Sequence, residues 1–552
     1  MQKNRFKTSI AENIFRQKYA QGPSDSWDAL AERVVEDVCG TRWGTSSAIM
    51  SASDRAQLAE YIKEQKFIPG GRYLYYAGRK KSFFNNCFIG IAREDTREEW
   101  ANLVWWAMRC LTVGGGIGIN YDVFRASGKP LISTGGLASG PLPLMDAINE
   151  IGRNVMQGGS RRSAIYASLN WKHEDIPLFL KAKNWHEQVI SPELTHWDAK
   201  QFNFNHKATL DMTNISVSYD DAWLEDKLNP TFIENCRQAM MTGEPGFQFD
   251  FGDKQDEKGR NACTEVTSQD HNDVCNLGSI NLGNLSSLEE FKDVVSLASR
   301  FLVCGTLRAD LPVQEMYEVR NKNRRLGLGL MGIHEWLLRR GQTYEVTPEL
   351  HQWLQIYRDE SERSAKEHCD RLFISHPVAF RAVAPTGTLG LLASTSTGIE
   401  PLYAVAYKRR YLTDGTKWKY QFVVDATADF LIREYDLNPE SIETASDLAT
   451  NYEQRIKFQA DVQDYVDMSI SSTINLPKWG SKENSEDRVG EFAETLAKYA
   501  PRLRGFTCYP DGSRGGQPIT KVDYSEALKH KGVVFEENDI CEIGGKGGSC
   551  GV

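Results

Sequence analysis

The chain is 552 residues long, 41% hydrophobic and 25% charged, a balance that excludes wholesale disorder and marks a soluble globular protein. Its formal net charge of −9 contains no block of like charge, which excludes a basic nucleic-acid stripe. No apolar run approaches the roughly 18 residues of a membrane span, and the N-terminus lacks a signal-peptide core; the expected location is the cytoplasm.

Residues 1 to about 70 read as amphipathic helices. Trp27, Leu30, Val34, Val35 and Val38 recur at helical spacing, with Ser26 placed to cap the start and Gly40 just past the end. The stretch "FIPGGRYLYYAG" reads as a turn into the main body, with Tyr75 and Tyr76 as packing residues. From about 82 to 515, β-rich runs ("NCFIGIA", "GIGINYDVF", "AIYASLN", "TNISVSYD", "FQFDFG") alternate with helical ones ("TREEWANLVWWAMRCLTV", "IENCRQAMMTG"). That alternation predicts an α/β barrel or a large open sheet. Residues 184–208, rich in Trp, Asn and His, read as a long loop or insertion. From Asp511 onward the chain turns Gly-rich, the composition of a flexible arm, and this arm ends in Cys541 and Cys550.

Several short patterns carry two readings each. The run Gly114, Gly115, Gly116 and Gly118 lacks the Lys-Ser/Thr of a P-loop, and suits either a tight turn or a backbone surface against a ligand. Pro385, Thr386, Gly387, Thr388 and Leu389 precede an apolar stretch, as an ordinary capped helix or a phosphate site built from backbone N–H groups. The pairs Arg161–Arg162 and Arg324–Arg325 read as solvated charge, and His334 as a packed histidine.

Eleven cysteines stand at 39, 87, 110, 236, 263, 275, 304, 369, 508, 541 and 550. An odd number without a signal peptide argues against a secreted disulfide framework. No C-x-x-C pair occurs, so no metal site is expected. The densest chemistry is "RNACTEVTSQDHNDVCNLGSINLG", residues 260–283, with Asn261, Cys263, Glu265 and Cys275. A nucleophilic cysteine would need His and Asn partners. A redox site needs a third thiol, which Cys87 offers from a predicted strand. Inert buried cysteines account for the spacing equally well.

"FIPGGRYL", "NNCFIGIA", "GGGIGI", "ASGPLPLM", "SRRSA", "NACTEV", "VCNLGSINLG", "KNRRLGLGLMGI", "APTGTLGLLASTSTGIEP" and "CEIGGKGGSC" occur in this order from about residue 65 to the end. In them the sequence resembles the catalytic chain of ribonucleotide reductases, above all the short adenosylcobalamin-dependent (class II) type. The resemblance implies a ten-stranded α/β barrel (76–515), a helical region before it (1–75) without an ATP cone, and a redox tail (516–552). It implies Cys263 as the thiyl radical that takes the ribose 3′-hydrogen, Glu265 as general base and Asn261 as holder of the sugar hydroxyls. Cys87 and Cys275 become the disulfide, and Cys541 and Cys550 re-reduce it before thioredoxin or a similar reductant recharges them.

By the same resemblance, substrate contacts fall to Gly71, Asn86, Gly115, Gly116 and the 385–389 loop. Glu94, Asp95 and Arg125 belong to a deoxynucleotide or ATP effector site of a homodimer. The family core Asn-Pro-Cys-Gly-Glu is here Asn-Ala-Cys-Thr-Glu, so Ala262 and Thr264 alter the loop backbone. Tyr509 is a radical-pathway candidate, but Pro510 follows it where relatives fed by a diiron or dimanganese subunit carry two adjacent tyrosines. The expected cofactor is therefore adenosylcobalamin, with the partner-subunit scheme as the alternative. A nucleotide-binding protein without catalysis is the alternative of another class. The substrate is a ribonucleoside di- or triphosphate.

Overall fold

The computed structural model describes residues 5–40, 48–132, 135–155, 163–203, 206–413, 417–513, 519–531 and 533–536. At the N-terminal end lie α1 (Ser9–Lys18), α2 (Trp27–Val35), a π turn (Glu36–Gly40) and α3 (Ala52–Lys63). Thr8, Ser26 and Ser51 cap the three helices, each accepting a backbone N–H through its side-chain oxygen. Trp27, Leu30, Val34, Val35 and Val38 are buried, as their spacing predicts. The segment expected as a turn is instead a short strand and a helix, β1 (Phe67–Pro69) and α4 (Gly71–Tyr76). The difference arises because residues 67–69 add to a sheet edge supplied by residues 278–280, which local sequence cannot show.

Next come β2 (Cys87–Ile91), α5 (Arg97–Val113), β3 (Gly116–Asn120), α6 (Leu142–Asn154), β4 (Ile165–Asn170) and α7 (Ile176–Lys181). The expected long loop at 184–208 is largely structured, with β5 (Val189–Ser191), β6 (Leu194–Thr195) and α8 (His196–Phe202). A capping box between Thr195 and Asp198 starts that helix, and His186 stacks on Trp197 at 4.6 Å. Then follow β7 (Thr213–Tyr219), α9 (Pro230–Thr242), β8 (Gly246–Phe249), β9 (Gly259–Arg260), β10 (Thr267–Ser268) and β11 (Asp273–Asn281). After these come α10 (Leu288–Arg308), α11 (Glu315–Asn323), β12 (Leu326–Met331), α12 (Ile333–Leu338), α13 (Pro348–Leu372) and α14 (Gly387–Ala393). The remainder is β13 (Ala406–Thr413), β14 (Lys417–Val424), α15 (Ala426–Tyr435), α16 (Tyr452–Gln463), β15 (Thr473–Leu476), α17 (Val489–Tyr499), β16 (Gly505–Pro510), β17 (Ile519–Lys521), α18 (Tyr524–Lys529) and β18 (Val534–Glu536).

The strands close on themselves. β2, β3, β4, β7 and β8 run parallel in that order. β8 pairs antiparallel with β16, which pairs parallel with β15. Parallel bridges from Ile470 to Val383 and from Arg381 to Leu328 carry the circuit to β12. β12 lies parallel to β11, and the first residues of β11 run antiparallel to β2. Two parallel half-barrels thus meet head to tail, which is the expected ten-stranded α/β barrel. Alternation sorts the side chains: Phe88 joins the outer core under the helices, while Cys87 and Ile89 join an inner cluster with Val266, Cys275, Ala382 and Met468.

A second sheet, in the order β17-β13-β14-β18, stands apart. Its outer strands come from residues 519–536, the first part of the segment expected to be a flexible arm. Among the described residues no helix is long and apolar enough to cross a membrane.

Candidate active site

β9 and β10 pair over only two residues each, and the connection 261–266 hangs inside the barrel between them. The glycines of β3 make room for it. A Cβ on Gly118 would stand 2.0 Å from the Arg260 carbonyl oxygen, and one on Gly116 would stand 2.8 Å from the Ala262 Cβ. Gly114 ends α5 in the left-handed conformation, and a Cβ on Gly115 would strike the Phe88 ring at 1.8 Å. Turn and close approach together account for the whole glycine run.

The root of this loop is charged and buried. Arg260, with no exposed side-chain surface, donates to Asp250 at 2.5 Å. Arg504 donates to Glu257 at 3.0 Å, and the Thr267 hydroxyl donates to the same carboxylate. Burial opposes ionisation of Glu257, but Arg504 and Arg325 outweigh it and hold the carboxyl down to about 2. On the other strand, Ser268 and Arg325 donate to Asp273 at 2.7 and 2.8 Å. Arg324 and Arg325 are therefore not solvated charge. Arg325 pins β10 and β11 together, while Arg324 ends α11 with a positive φ and donates to Ser375 at 2.9 Å. His334 is packed as expected, accepting the Leu402 N–H at 2.9 Å.

The tip is held by single neutral hydrogen bonds. Asn261 accepts the Val266 N–H at 3.0 Å and donates its amide to the Cys87 sulfur at 3.0 Å. Asn214 of β7 donates to the Ala262 carbonyl at 3.3 Å, and the Ser469 N–H to the Glu265 carbonyl at 2.9 Å. Thr264 takes a φ of 67°. Glu265 is 1% exposed; one carboxyl oxygen lies 3.9 Å from the Cys87 sulfur, and the other is buried without a hydrogen-bond partner among the described residues. Burial pushes this carboxyl up to about 7.

Cys87 and Cys275 face each other in antiparallel register. Directly opposed residues carry their side chains on one face with Cβ atoms about 4.5–5.5 Å apart. Burial pushes both thiols well up, so each sulfur keeps its proton. Cys263 is only half-buried where these two are sealed.

The structure thus brings together Asn261, Cys263, Glu265, Cys87 and Cys275. Asn86, next to Cys87, has a buried Oδ1 without a partner among the described residues; a Cβ on Gly70 would stand 2.9 Å from that atom, which sets Asn86 beside Gly71 and the start of α4. Pro385 and Gly387 are exposed at the start of α14, whereas Thr386 is buried, its hydroxyl accepting the Gly398 N–H at 2.8 Å. Asp95 pairs with Arg125 beside Lys129, Lys172 and His173 on a cavity of about 480 Å³; Glu94 is not among its lining residues. Tyr509 lies in β16, opposite Asn475 of β15. Cys541, Cys550, Arg161 and Arg162 lie outside the described residues. Asp250, Glu257, Asn214, Ser469 and Arg504 were not foreseen. Asn214, Ser469 and Arg504 act on the loop from segments distant in sequence, and Asp250 and Glu257, though only 10 residues from their partners Arg260 and Thr267, read in the sequence as ordinary charges. Among the described residues no cluster of three or more His, Cys, Asp or Glu is placed to hold a metal ion.

Residues 85–229, 236–353 and 376–498 match the family model described as the ribonucleotide reductase barrel domain. The vitamin B12-dependent ribonucleoside-diphosphate reductase of Mycobacterium tuberculosis (strain CDC 1551 / Oshkosh) is 27% identical, over 90% of this chain and 76% of the relative. The protein of the same name from Thermoplasma acidophilum is 25% identical, over 88% of this chain and 68% of the relative. A crystal structure of a B-12 dependent (class II) ribonucleotide reductase superposes with a TM-score of 0.70 over 94% of this chain and 93% of that one, at 16% identity, which shows a shared fold.

Proposed function

The chain belongs to the ribonucleotide reductase family, and on that premise we propose that it reduces ribonucleotides to 2′-deoxyribonucleotides by thiyl-radical chemistry, with adenosylcobalamin as its cofactor. The observation that carries the reading is the convergence on Cys87: the Asn261 amide at 3.0 Å, the Glu265 carboxyl at 3.9 Å, and Cys275 directly across the strand pair.

Cys263, on the loop tip, takes the 3′-hydrogen of the ribose as a thiyl radical. Glu265 accepts the 3′-hydroxyl proton, and a carboxyl poised at about 7 suits that task near neutral pH. The carboxyl oxygen that has no partner among the described residues would take the substrate hydroxyl. Asn261 orients the sugar. Cys87 and Cys275 deliver two hydrogens, one leaving with the 2′-hydroxyl as water and one bonding to C2′, and the two sulfurs end bonded to each other. Glu265 then gives its proton back to the 3′-oxygen and Cys263 returns its hydrogen to C3′. A disulfide needs Cβ atoms about 3.5–4.5 Å apart, a small step from an opposed strand pair. The amides at the start of α14 and the polar edge at Gly71 and Asn86 would take the phosphates and the nucleoside.

Adenosylcobalamin fits one feature directly: Cys263 is the reacting cysteine that is not sealed. Cys263 and Thr264, on the loop tip, are the residues that would face it. What the cofactor supplies when bound is the hydrogen-atom acceptor that leaves a radical on the Cys263 sulfur. Cys541 and Cys550 would restore the dithiol from thioredoxin or a similar reductant. The Asp95–Arg125 cavity, in a cytoplasmic homodimer, would take a nucleotide effector.

The test is reduction of CDP and CTP by the purified full chain with adenosylcobalamin and dithiothreitol. Deoxynucleotide formed without any added protein is the expected result. Product only after addition of a metal-loaded radical subunit would overturn the cofactor, and no product under either condition would overturn the reaction.

A further inference from the structure

Cys39, Cys304 and His368 meet in the helical core outside the barrel and have no part in the chemistry above. Cys39 lies in the π turn, Cys304 on α10 and His368 on α13, and none is more than 3% exposed. The Cys304 sulfur is 3.5 Å from His368 Nε2, and the π turn packs on α10 so that the Cys39 and Cys304 thiols act directly on one another. His368 Nδ1 is buried without a partner among the described residues. The π turn is itself a rare conformation that recurs at functional sites.

Other buried cysteines differ. Burial pushes the Cys110, Cys236 and Cys508 thiols up. At Cys304 the same burial is outweighed by the hydrogen bonds from Cys39 and His368, which draw the thiol down. With an imidazole 3.5 Å from its sulfur to take the proton, Cys304 is the thiol of the pair placed to attack. The pair also backs onto the active-site strand. A Cβ on Gly305 would stand 1.7 Å from the Tyr73 hydroxyl, which accepts from Asn276 at 2.6 Å, and Asn276 follows Cys275.

We propose that Cys39 and Cys304 form a second dithiol, an oxidation site for small hydroperoxides, with Cys304 as the attacking sulfur and His368 as its proton partner. The Cys304 sulfur, its proton passed to the imidazole, attacks one peroxide oxygen. The O–O bond breaks, the departing oxygen takes the proton from His368 and leaves as water (or as an alcohol from an alkyl hydroperoxide), and Cys304 becomes a sulfenic acid. The Cys39 sulfur then attacks Cys304; the S–O bond breaks, water leaves with the Cys39 proton, and a disulfide remains. Two thiols lose two electrons and one peroxide gains them. Local opening of the π turn that carries Cys39 admits the oxidant.

The test exposes the reduced full-length chain, freed of thiol reagent, to hydrogen peroxide, denatures it in iodoacetamide and maps the cysteines by mass spectrometry. The expected result is a Cys39–Cys304 cross-link at least about tenfold more abundant than any link of Cys110, Cys236 or Cys369, and reversed by dithiothreitol. Cys39→Ser should leave Cys304 trapped by dimedone as a sulfenic acid, and His368→Gln should slow the cross-link at unchanged helix content. Cys39 and Cys304 alkylated to the same extent as Cys110 and Cys236 would overturn the proposal. If a variant does not fold, the wild-type map alone decides.

Discussion

The root and the tip of the loop inside the barrel are built in opposite ways. At the root, the buried pairs Arg260–Asp250 and Arg325–Asp273 and the half-buried pair Arg504–Glu257 fix both hairpin strands to the barrel wall. At the tip, Asn261, Ala262 and Thr264 are neutral, and the backbone is held by single hydrogen bonds from Asn214 and Ser469. Buried charge adds little net stability, because desolvation offsets attraction, but it penalises every other register of the strands. The loop is thus registered by charges set away from the reacting atoms, and Glu265 is left as the single ionisable carboxyl beside Cys87 among the described residues.

The largest expected effect is at the tip and concerns chemistry alone. Cys263→Ser should abolish deoxynucleotide formation while leaving the thermal melt unchanged, since the side chain is half-buried and nearly isosteric. Turnover above background would remove Cys263 from the centre of the site. Glu265→Gln should lower kcat by about 10²–10⁴-fold, the usual contribution of a general base. In the wild type, activity should rise with pH through about 7, where this carboxyl ionises.

Glu265 also has a stability signature with a definite sign. Its folded value of about 7 lies above the ordinary 4.5, so the unfolded chain releases this proton first. Folding is therefore opposed increasingly as pH rises from about 4.5 to about 7, by up to roughly 3 kcal/mol. Urea midpoints measured at pH 5 and pH 7.5 should show that decline in the wild type and less of it in Glu265→Gln. Equal declines would mean that the carboxyl is solvated in the folded state.

At the root the effect should fall on stability. Asp250→Ala leaves Arg260 buried without its carboxylate, at a cost of about 3–5 kcal/mol, read from urea unfolding. Its remaining folded fraction should still turn over. A variant of unchanged stability that is inactive would reverse the contrast and make the root part of the chemistry.

Tip and root also differ in how well the sequence discloses them. The tip is a contiguous pattern, and its residues declare their chemistry by type and order. So do the strands, because alternation of apolar and small residues is written locally. The root is assembled from positions far apart along the chain, from Asp250 to Arg504, and each alone reads as ordinary surface charge. Arg325 was misread for that reason: its partner Asp273 lies 52 residues away. Residues 184–208 look like loop because their order comes from a capping box and ring stacking rather than from a buried apolar face. Residues 519–536 fold by adding strands to a hairpin more than a hundred residues earlier, which composition does not foretell.

The smallest expected effect tests the departure of this loop from the family pattern. Thr264 takes a φ of 67° at the position where the sequence resemblance implies a glycine in the family core. A β-branched residue in that conformation bears about 1–2 kcal/mol of strain. Thr264→Gly relieves it, while the added freedom of the unfolded chain offsets about 0.5–1 kcal/mol. The net change in stability should thus be a gain within about 1 kcal/mol, with activity kept within a few-fold, because the Thr264 N–H still donates to the Asn261 carbonyl at 3.1 Å. Thr264→Ala separates backbone from side chain, since it keeps a Cβ in the strained conformation and removes the hydroxyl together with the γ-methyl. If glycine and alanine both lose activity by orders of magnitude, the Thr264 side chain holds the tip, and the threonine is a functional gain of this chain. If both keep it, backbone geometry alone places Cys263, and the threonine is a tolerated strain that the charged root is rigid enough to impose.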